Sequence, residues 1–520
     1  MKTGETIERP SVGRAVVAIL IVLLAPLLFG IIVGSTGPSI DTMKNEVRDK
    51  NNNIVRLNND SEFVVFTEGE ADIYSSLVTV GAMVGAIVSG YMVNAIGYKK
   101  SLLCTVPLYI VCFIAMYLTS SAYVLFAART VTGLAVGINS FIVPTYIADV
   151  APVSYRGLFG AANQLCITLG IFLVYFLGMI FRVDGGQVYS DSLGVELNLL
   201  SGENLTINVI AQAPDGMFCN WRMLSVLNTI PAVILGIGVI FIPEAPSWLT
   251  LKQNEDCVGD KCDIKAAPNT STWSLLKLSW RQLLIALALQ FFQQFSGINA
   301  VMFFCTSILR DARLPKADSI AASVMFEQVL VTGAAVALMD LAGRKVLLLI
   351  GASTMAAACG ILGLYFYLVS LQETVSILFV IIGMYVYIAA FSIGVGAIPW
   401  LILGEIFPAN TKAAGASVAT MANWTFAFLV TLTFRPADRL ITTQGVMWFF
   451  GACCIGLVVF TALAVPETKG KSFDEIQEYF NGKEISQGDS QDAMPNPKGP
   501  EETEKDPLIS NNRKRHTSFV

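Results

Sequence analysis

The chain has 520 residues, of which 54% are hydrophobic and only 14% are charged, with a formal net charge of −5 and a mean hydropathy of +0.62. A water-soluble domain cannot bury that much apolar surface, so the composition excludes a soluble protein and indicates a bilayer. The net charge excludes no class of membrane protein, because the orientation of the spans follows Lys and Arg in short loops and not the total charge.

Twelve apolar stretches are long enough to cross a bilayer at roughly 20 residues per crossing. We number them span 1 to span 12 and expect them at about 15–36, 72–94, 101–119, 122–147, 157–181, 223–242, 281–308, 319–339, 345–369, 375–403, 411–434 and 444–465. Span 1 is a full crossing with Pro26 and Gly30 inside it, unlike a cleaved signal peptide. We therefore expect span 1 to stay in the membrane.

Basic residues fall in alternate short connections, which predicts that this side is cytosolic. The expected organisation is a cytosolic N-terminus at 1–14, a six-helix half at 15–242, a cytosolic linker at 243–280, a second half at 281–465 and a cytosolic, largely disordered tail at 466–520. Long loops at 37–71 and 183–221 lie on the opposite face. Each contains a sequon, making Asn59 and Asn204 candidate glycosylation sites.

Three loop signatures occur twice in the same order, as a duplicated six-span unit predicts. They are Asn94, Gly97 and Lys99 matched by Asp340, Gly343 and Lys345; Asp149, Pro152 and Arg156 matched by Glu405, Pro408 and Lys412; and Pro243-Glu244 matched by Pro466-Glu467. Two repeated halves around a central site can rock and expose that site to one face at a time.

The charged members of these signatures are expected at the inner mouth, where acids of one half can pair with bases of the other when the outside is open. Partly exposed pairs are worth roughly 0–1 kcal/mol each, so a few of them close a gate that still opens thermally. The expected gating and salt-bridge residues are Asp149, Arg156, Glu244, Asp340, Arg344, Glu405, Lys412 and Glu467. The alternative is that these charges only anchor helix ends.

Polar residues inside the spans are mainly amides and hydroxyls, and few are charged, which favours a neutral cargo rich in hydroxyl groups. In span 7, Gln290, Gln293 and Gln294 lie at i, i+3 and i+4, followed by a predicted break at Ser296-Gly297 and then Asn299. The helix of span 10 is expected to be irregular in the same way, at Gly394, Gly396 and Pro399. Trp400 follows directly, and its indole offers a flat face to sugar C–H groups. Gln164 and Asn423 also approach mid-depth. Helix-to-helix hydrogen bonding is the alternative role for these amides.

At these residues the chain resembles the sugar porter family of the major facilitator superfamily, which contains the facilitative glucose transporters. The resemblance covers spans 1 to 12. It is carried by Arg129 with Gly133, Gly137, Pro144 and Tyr146; by Pro243-Glu244-Ala245-Pro246-Ser247-Trp248-Leu249; by the nine residues Gln293 to Val301; and by Ile398-Pro399-Trp400, Asn423-Trp424 and Pro466-Glu467-Thr468-Lys469-Gly470.

The resemblance implies an all-α major facilitator fold of twelve transmembrane helices in two pseudo-symmetric six-helix halves, with alternating access and no cofactor. The sugar ligands that it implies are Gln164, Gln293, Gln294, Asn299, Trp400 and Asn423, with Ile298 and Trp424 beside them and Gln328 where relatives carry an asparagine. Arg129 joins the gating and salt-bridge group. The short loop between spans 6 and 7 leaves little room for the helical cap of the family, and Val395 and Ala397 replace prolines, which predicts a less bent span 10.

The absence of an acid from span 1 argues for uncoupled transport. Proton-driven members of the family carry an aspartate there, in a Phe-Gly-Tyr-Asp context, whereas this chain reads Phe29-Gly30-Ile31-Ile32. The single histidine lies in the tail. Glu327 in span 8 is an intramembrane acid, and it keeps a proton-coupled symporter open as an alternative.

The sequence thus predicts facilitative uniport of a neutral hexose, glucose first. The alternatives are a carrier of another sugar or polyol, such as fructose, inositol or trehalose, and a sugar sensor that does not transport. An enzyme is disfavoured, because the spans contain no histidine and no metal motif. We expect a small-molecule sugar and the lipid bilayer as partners, no nucleic acid, no metal and a monomeric transport unit. The plasma membrane is the first expectation, although the acidic dileucine-like segment 504–509 makes an endosomal, lysosomal or vacuolar membrane the alternative.

Overall fold

The computed structural model describes residues 11–43, 46–48, 54–56, 66–152, 155–181, 221–259, 279–312, 314, 316–373, 375–408, 411–471 and 473–481. Asn59, Asn204 and segment 504–509 lie outside these residues. Eleven of the described helices have the length and hydropathy to cross a membrane. One of them is Lys412–Ala464, which holds both span 11 and span 12 and is interrupted at Thr442, where φ is +64°. The twelve crossings and the all-α fold are confirmed, with one small hairpin added in the described part of the first long loop.

The first half begins with three consecutive helices in span 1, at Val12–Val22, Leu24–Gly34 and Thr36–Met43, so this span runs further than the sequence predicted. The two strands Glu46–Arg48 and Ile54–Arg56 then pair antiparallel. Spans 2 to 6 are Glu68–Ile96, Tyr98–Leu118, Ala122–Val150, Arg156–Phe181 and the pair Trp221–Leu227 and Thr229–Phe241.

The second half contains span 7 at Trp280–Phe295 and Ile298–Asp311, span 8 at Ala317–Ala342 and span 9 at Arg344–Ser370. Span 10 comprises Leu378–Ala390, a π-helical turn at Phe391–Val395 and Ile398–Ile406. Both predicted irregularities are confirmed, in span 7 by Gly297, whose φ is +92°, and in span 10 by the π turn. The inner end of each half is the end that carries Gly97 or Gly343, and the outer end is the opposite one.

Two further helices among the described residues lie outside the spans. The linker helix is Pro246–Gly259 and the tail helix is Phe473–Asn481. The linker was expected to have little room for the helical cap of the family, and the structure shows that one helix of 14 residues fits in its first part. Proline has a backbone already set for a first helical turn, and Asp149 Oδ2 accepts a hydrogen bond from the backbone N–H of Ser247 at 2.9 Å. A helix can thus begin directly after Ala245.

Glycines let spans 2 and 4 approach closely. A Cβ added to Gly85 would overlap the carbonyl oxygen of Leu134, and one added to Gly137 would overlap that of Ala82. Small residues at such a seam allow backbone contact, from which helices in lipid gain their packing energy.

We expect Gly85→Val to destabilise the first half by about 3 kcal/mol or more, because a rigid backbone cannot move away from the new side chain. Gly90→Val on the same helix is the matched control, since nothing lies within 4 Å of its added Cβ. Thermal melting of the purified variants measures the difference. Equal melting temperatures would show that the seam is not close-packed.

The two halves repeat one capping arrangement at their inner ends. In the first half, Glu244 Oε1 accepts from the backbone N–H groups of Tyr98 and Lys99 at 2.8 and 3.1 Å. Lys99 Nζ in turn donates to the carbonyl of Ile240 at 2.7 Å. A carboxylate at a helix N-terminus satisfies donors that the helix itself leaves open.

The second half repeats this arrangement with different residues. Glu467 accepts from the N–H groups of Arg344 and Lys345 at 3.1 and 3.0 Å, and Lys345 Nζ donates to the carbonyl of Ala462 at 2.9 Å. Gly97 and Gly343 both take positive φ, +86° and +93°, immediately before the capped helices. Two of the three sequence repeats thus correspond to the same contacts, as a duplicated unit requires.

Glu467 gives this cap a pH dependence. Partial burial acts to raise the pKa of Glu467, but N–H donation from Lys469, Lys345 and Arg344 outweighs it and holds this pKa below its ordinary value. Its contribution to stability is therefore complete above the unfolded value of about 4.3 and is lost as the pH falls through the lowered folded pKa. We expect Glu467→Gln to melt below wild type at neutral pH, with a difference that disappears in acid. A constant difference at every pH would contradict this.

Candidate functional site

Five side-chain amides of spans 7 and 11 form two hydrogen-bonded groups. In the first, Asn423 Nδ2 donates to Gln290 Oε1 at 2.6 Å and to Gln293 Oε1 at 2.9 Å. In the second, Asn299 Nδ2 donates to Gln294 Oε1 at 2.5 Å across the break in span 7. Gln290, Gln293, Gln294 and Asn423 are all buried. The structure thus brings together four predicted ligands and adds Gln290 as a bonding partner.

Gln293 also connects this cluster to the irregular turn of span 10. Its Nε2 donates to the carbonyls of Val395 and Gly396 at 2.8 and 2.9 Å. The π turn exposes these carbonyls, because one extra residue disturbs the regular helical ladder. Tyr387 adds a second link by donating its hydroxyl to the carbonyl of Ser296 at 2.9 Å. The two helix breaks are therefore tied to each other through side chains.

The remaining predicted ligands differ in their surroundings. Gln164 and Trp400 are half-buried, and neither side chain bonds to a described residue. Gln328 is buried, and its Oε1 has no hydrogen-bond partner among the described residues. An amide oxygen without a donor is costly in a low-dielectric interior, so it is available to a hydroxyl group of a ligand.

Trp424 and Ile298 are both buried beside this cluster. The ring of Trp424 lies 5.4 Å from that of Phe29 in span 1, and its Nε1 approaches Ser140 Oγ in span 4 at 3.4 Å. Trp424 thus contacts the opposite half of the molecule. Phe29 and Ser140 were not among the sequence candidates, since nothing in the sequence measures contact between halves.

The charged residues expected at the inner mouth make contacts within their own halves. Arg344 Nη2 and Glu405 Oε1 form an ion pair at 3.3 Å, and the acids Asp149, Glu244 and Glu467 accept backbone N–H groups. Lys412 is exposed, and the side chains of Arg156 and Asp340 lie outside the described residues. Pairing between halves was expected for a molecule open to the outside, and it stays a prediction for that state.

Arg129 does not belong with these inner charges. Its Nη1 donates to the carbonyl of Ile32 at 2.8 Å and to Ser35 Oγ at 3.1 Å, its Nη2 donates to Thr36 Oγ1, and its guanidinium lies 5.0 Å from the centre of the Tyr74 ring. All these partners are neutral, and among the described residues it forms no ion pair. The grouping of Arg129 with salt bridges is therefore corrected: it connects spans 1, 2 and 4 near their outer ends.

The outer ends of the two halves are in contact. Tyr175 in span 5 donates to the carbonyl of Met302 in span 7 at 2.5 Å, and Arg439 and Glu68 form an ion pair between halves at 2.6 Å. At the inner end of span 5, Tyr155 and Leu158 are 52% and 56% exposed. The two halves thus touch at their outer ends, while these two side chains at the inner end of span 5 are exposed.

Two repeated bundles of membrane-crossing helices, with a buried cluster of amides in the second bundle and contacts that join the outer ends of the two, are typical of a membrane transporter. The family model described as "Sugar (and other) transporter" matches residues 17–480. The chain belongs to this family, the sugar porters of the major facilitator superfamily. It is a multi-pass membrane sugar transporter and not an enzyme.

Individual relatives agree with this assignment. The chain is 31% identical to Sugar transporter ERD6-like 6 of Arabidopsis thaliana, an alignment that covers 92% of this chain and 93% of the relative. It is 28% identical to the mouse (Mus musculus) solute carrier family 2, facilitated glucose transporter member 8, covering 91% and 96%. The inward-open structure of the xylose transporter XylE from E. coli matches with a TM-score of 0.64 and 25% identity, covering 89% of this chain and 98% of XylE.

Proposed function

We propose that this chain carries a neutral hexose, glucose first, by uniport with alternating access at the plasma membrane. The sugar would bind at Gln164, Gln293, Gln294, Asn299, Gln328, Trp400 and Asn423. Amides suit such a cargo, because each supplies donors and an acceptor without the desolvation cost of a charge. The mouse relative is named a facilitated glucose transporter, which also supports glucose.

One observation carries the proposal of uniport. Ile32 stands where proton-driven relatives are expected to have an aspartate, and the guanidinium of Arg129 meets its backbone carbonyl and two hydroxyl groups instead of a carboxylate. A proton carrier must be a titratable group at membrane depth. At this position the chain offers only neutral acceptors.

A second candidate, proton-coupled symport, is favoured by Glu327. Its Oε2 is buried and has no hydrogen-bond partner among the described residues. However, Glu327 follows Ser323 by one helical turn, and Ser323 Oγ bonds to the hydroxyl of Tyr385 at 2.6 Å. Residues one turn apart share a helix face, so Glu327 is directed towards span 10. Gln328 lies about 100° further around the helix. Glu327 therefore does not share the face of the proposed ligand Gln328, which disfavours its role as the proton carrier.

Counterflow of labelled glucose in pH-clamped proteoliposomes tests the proposal. We expect exchange that is indifferent to a protonophore, in wild type and in Glu327→Gln alike. Sugar-evoked proton current that Glu327→Gln abolishes would establish the symporter instead, and binding without exchange would establish a sensor. A competition panel that includes trehalose, fructose and inositol identifies the preferred sugar.

A further inference from the structure

A groove of about 670 Å³ lies at the inner end of the first half, away from the amide cluster. Its walls come from the start of span 1, the end of span 6 and the linker helix. Most of the lining is apolar, including Val17, Ile21, Phe241 and Leu249. Val17 and Phe241 are 57% and 78% exposed, as expected for side chains that face lipid tails.

The rim of this groove carries one cation without a partner. Arg14 lies in the first turn of span 1, is exposed, and forms no hydrogen bond or ion pair with a described residue. The acid on the rim, Glu244, keeps its charge, but it accepts backbone N–H groups at the N-terminus of span 3, where the helix dipole offsets part of that charge. Arg14 is therefore the charged group of the lining that is available to a ligand.

The second half shows the same corner covered by the chain itself. Arg281, in the first turn of span 7, donates to the carbonyl of Phe480 in the tail helix at 3.2 Å. Ile476 and Phe480 of that helix are buried, and Gln477 Nε2 donates to the carbonyl of Ile406 at 3.0 Å. In the first half the linker helix turns towards span 4 instead, through the bond from Ser247 to Asp149.

We propose that an anionic phospholipid of the cytosolic leaflet occupies this groove, with its phosphate on Arg14 and part of an acyl chain along Val17, Ile21 and Phe241. A cation close to a membrane surface strengthens the binding of an anionic lipid about fivefold. The apolar walls supply the remaining affinity without selecting the headgroup. The proposal is independent of the sugar, because no residue of the amide cluster lines the groove.

Native mass spectrometry of the full chain tests it, with dioleoylphosphatidylglycerol and dioleoylphosphatidylcholine as probes. We expect wild type and Arg14→Lys to retain the anionic lipid about fivefold more than the neutral one, and Arg14→Gln to lose this preference. Val17→Trp, which fills the groove, should lower retention of both lipids. Lys471→Gln, which removes an exposed cation from the second half, is the control and should behave as wild type.

Equal retention of both lipids by wild type, or an unchanged preference in Arg14→Gln, would overturn the proposal. If lipid retention is weak and rises when residues 1–10 are deleted, the N-terminus of the chain is the occupant of the groove. This result would also overturn the proposal. None of these outcomes depends on which sugar is carried.

Discussion

Replacing Gln293 with alanine is expected to reduce hexose uptake about 100-fold. The substitution removes the side chain that accepts from Asn423 and donates to the carbonyls of Val395 and Gly396. Gln293 is also a proposed sugar ligand, and removing its donors and acceptor from the buried site costs about 3 kcal/mol of sugar-binding free energy, which corresponds to about two powers of ten. Initial rates of labelled glucose uptake in proteoliposomes measure the loss.

Gln444→Ala is the matched control for this experiment, since Gln444 lies in the same half at the start of span 12 and bonds to no described residue. It should transport as wild type. The amount of folded protein must be compared by thermal melting, so that lost binding is separated from lost structure. If Gln293→Ala and Trp400→Ala both kept the wild-type rate, the sugar site would lie elsewhere.

Gly297→Ala is expected to have a comparable effect through the backbone. Gly297 takes φ +92°, which strains any residue with a Cβ, and the added Cβ would overlap the ring of Phe450. The two effects together cost about 2–4 kcal/mol. Because this residue joins the two segments of span 7, we expect Gln294 and Asn299 to lose their alignment and uptake to fall at least tenfold.

Gly360→Ala in span 9 is the corresponding control, because nothing lies within 4 Å of its added Cβ. It should leave both transport and melting unchanged. Wild-type uptake by Gly297→Ala would show that the break in span 7 is not needed for transport.

The sequence predicted the elements of this site better than their partners. The spacing of Gln290, Gln293 and Gln294 places them on one helical face, and Gly297 indicates the break, since both follow from local geometry. The bond from Asn423 to Gln293 joins residues 130 positions apart. No local rule supplies such a contact. The resemblance to the family identified the candidate ligand residues, and only the fold shows which of them contact one another.

The errors have the same origin. Arg129 was grouped with the gating charges through the resemblance to the family, whereas its position in span 4 gives it neutral partners in spans 1 and 2. The linker helix was not predicted, because only the short length of the loop was considered, although Pro246 favours the start of a helix. Three of the inner acids accept backbone N–H groups, which the repeat pattern alone does not reveal, and their pairing between halves in a molecule open to the outside stays a prediction.

The ion pair between Arg439 and Glu68 has a consequence for the populations of the two orientations. Both side chains are more than half exposed, at 56% and 52%. An exposed pair is worth about 0–1 kcal/mol, so it shifts the balance between outward-facing and inward-facing molecules by about fivefold at most. This ion pair therefore supplies only a small part of the free energy that holds the outer ends together, and thermal motion can separate it.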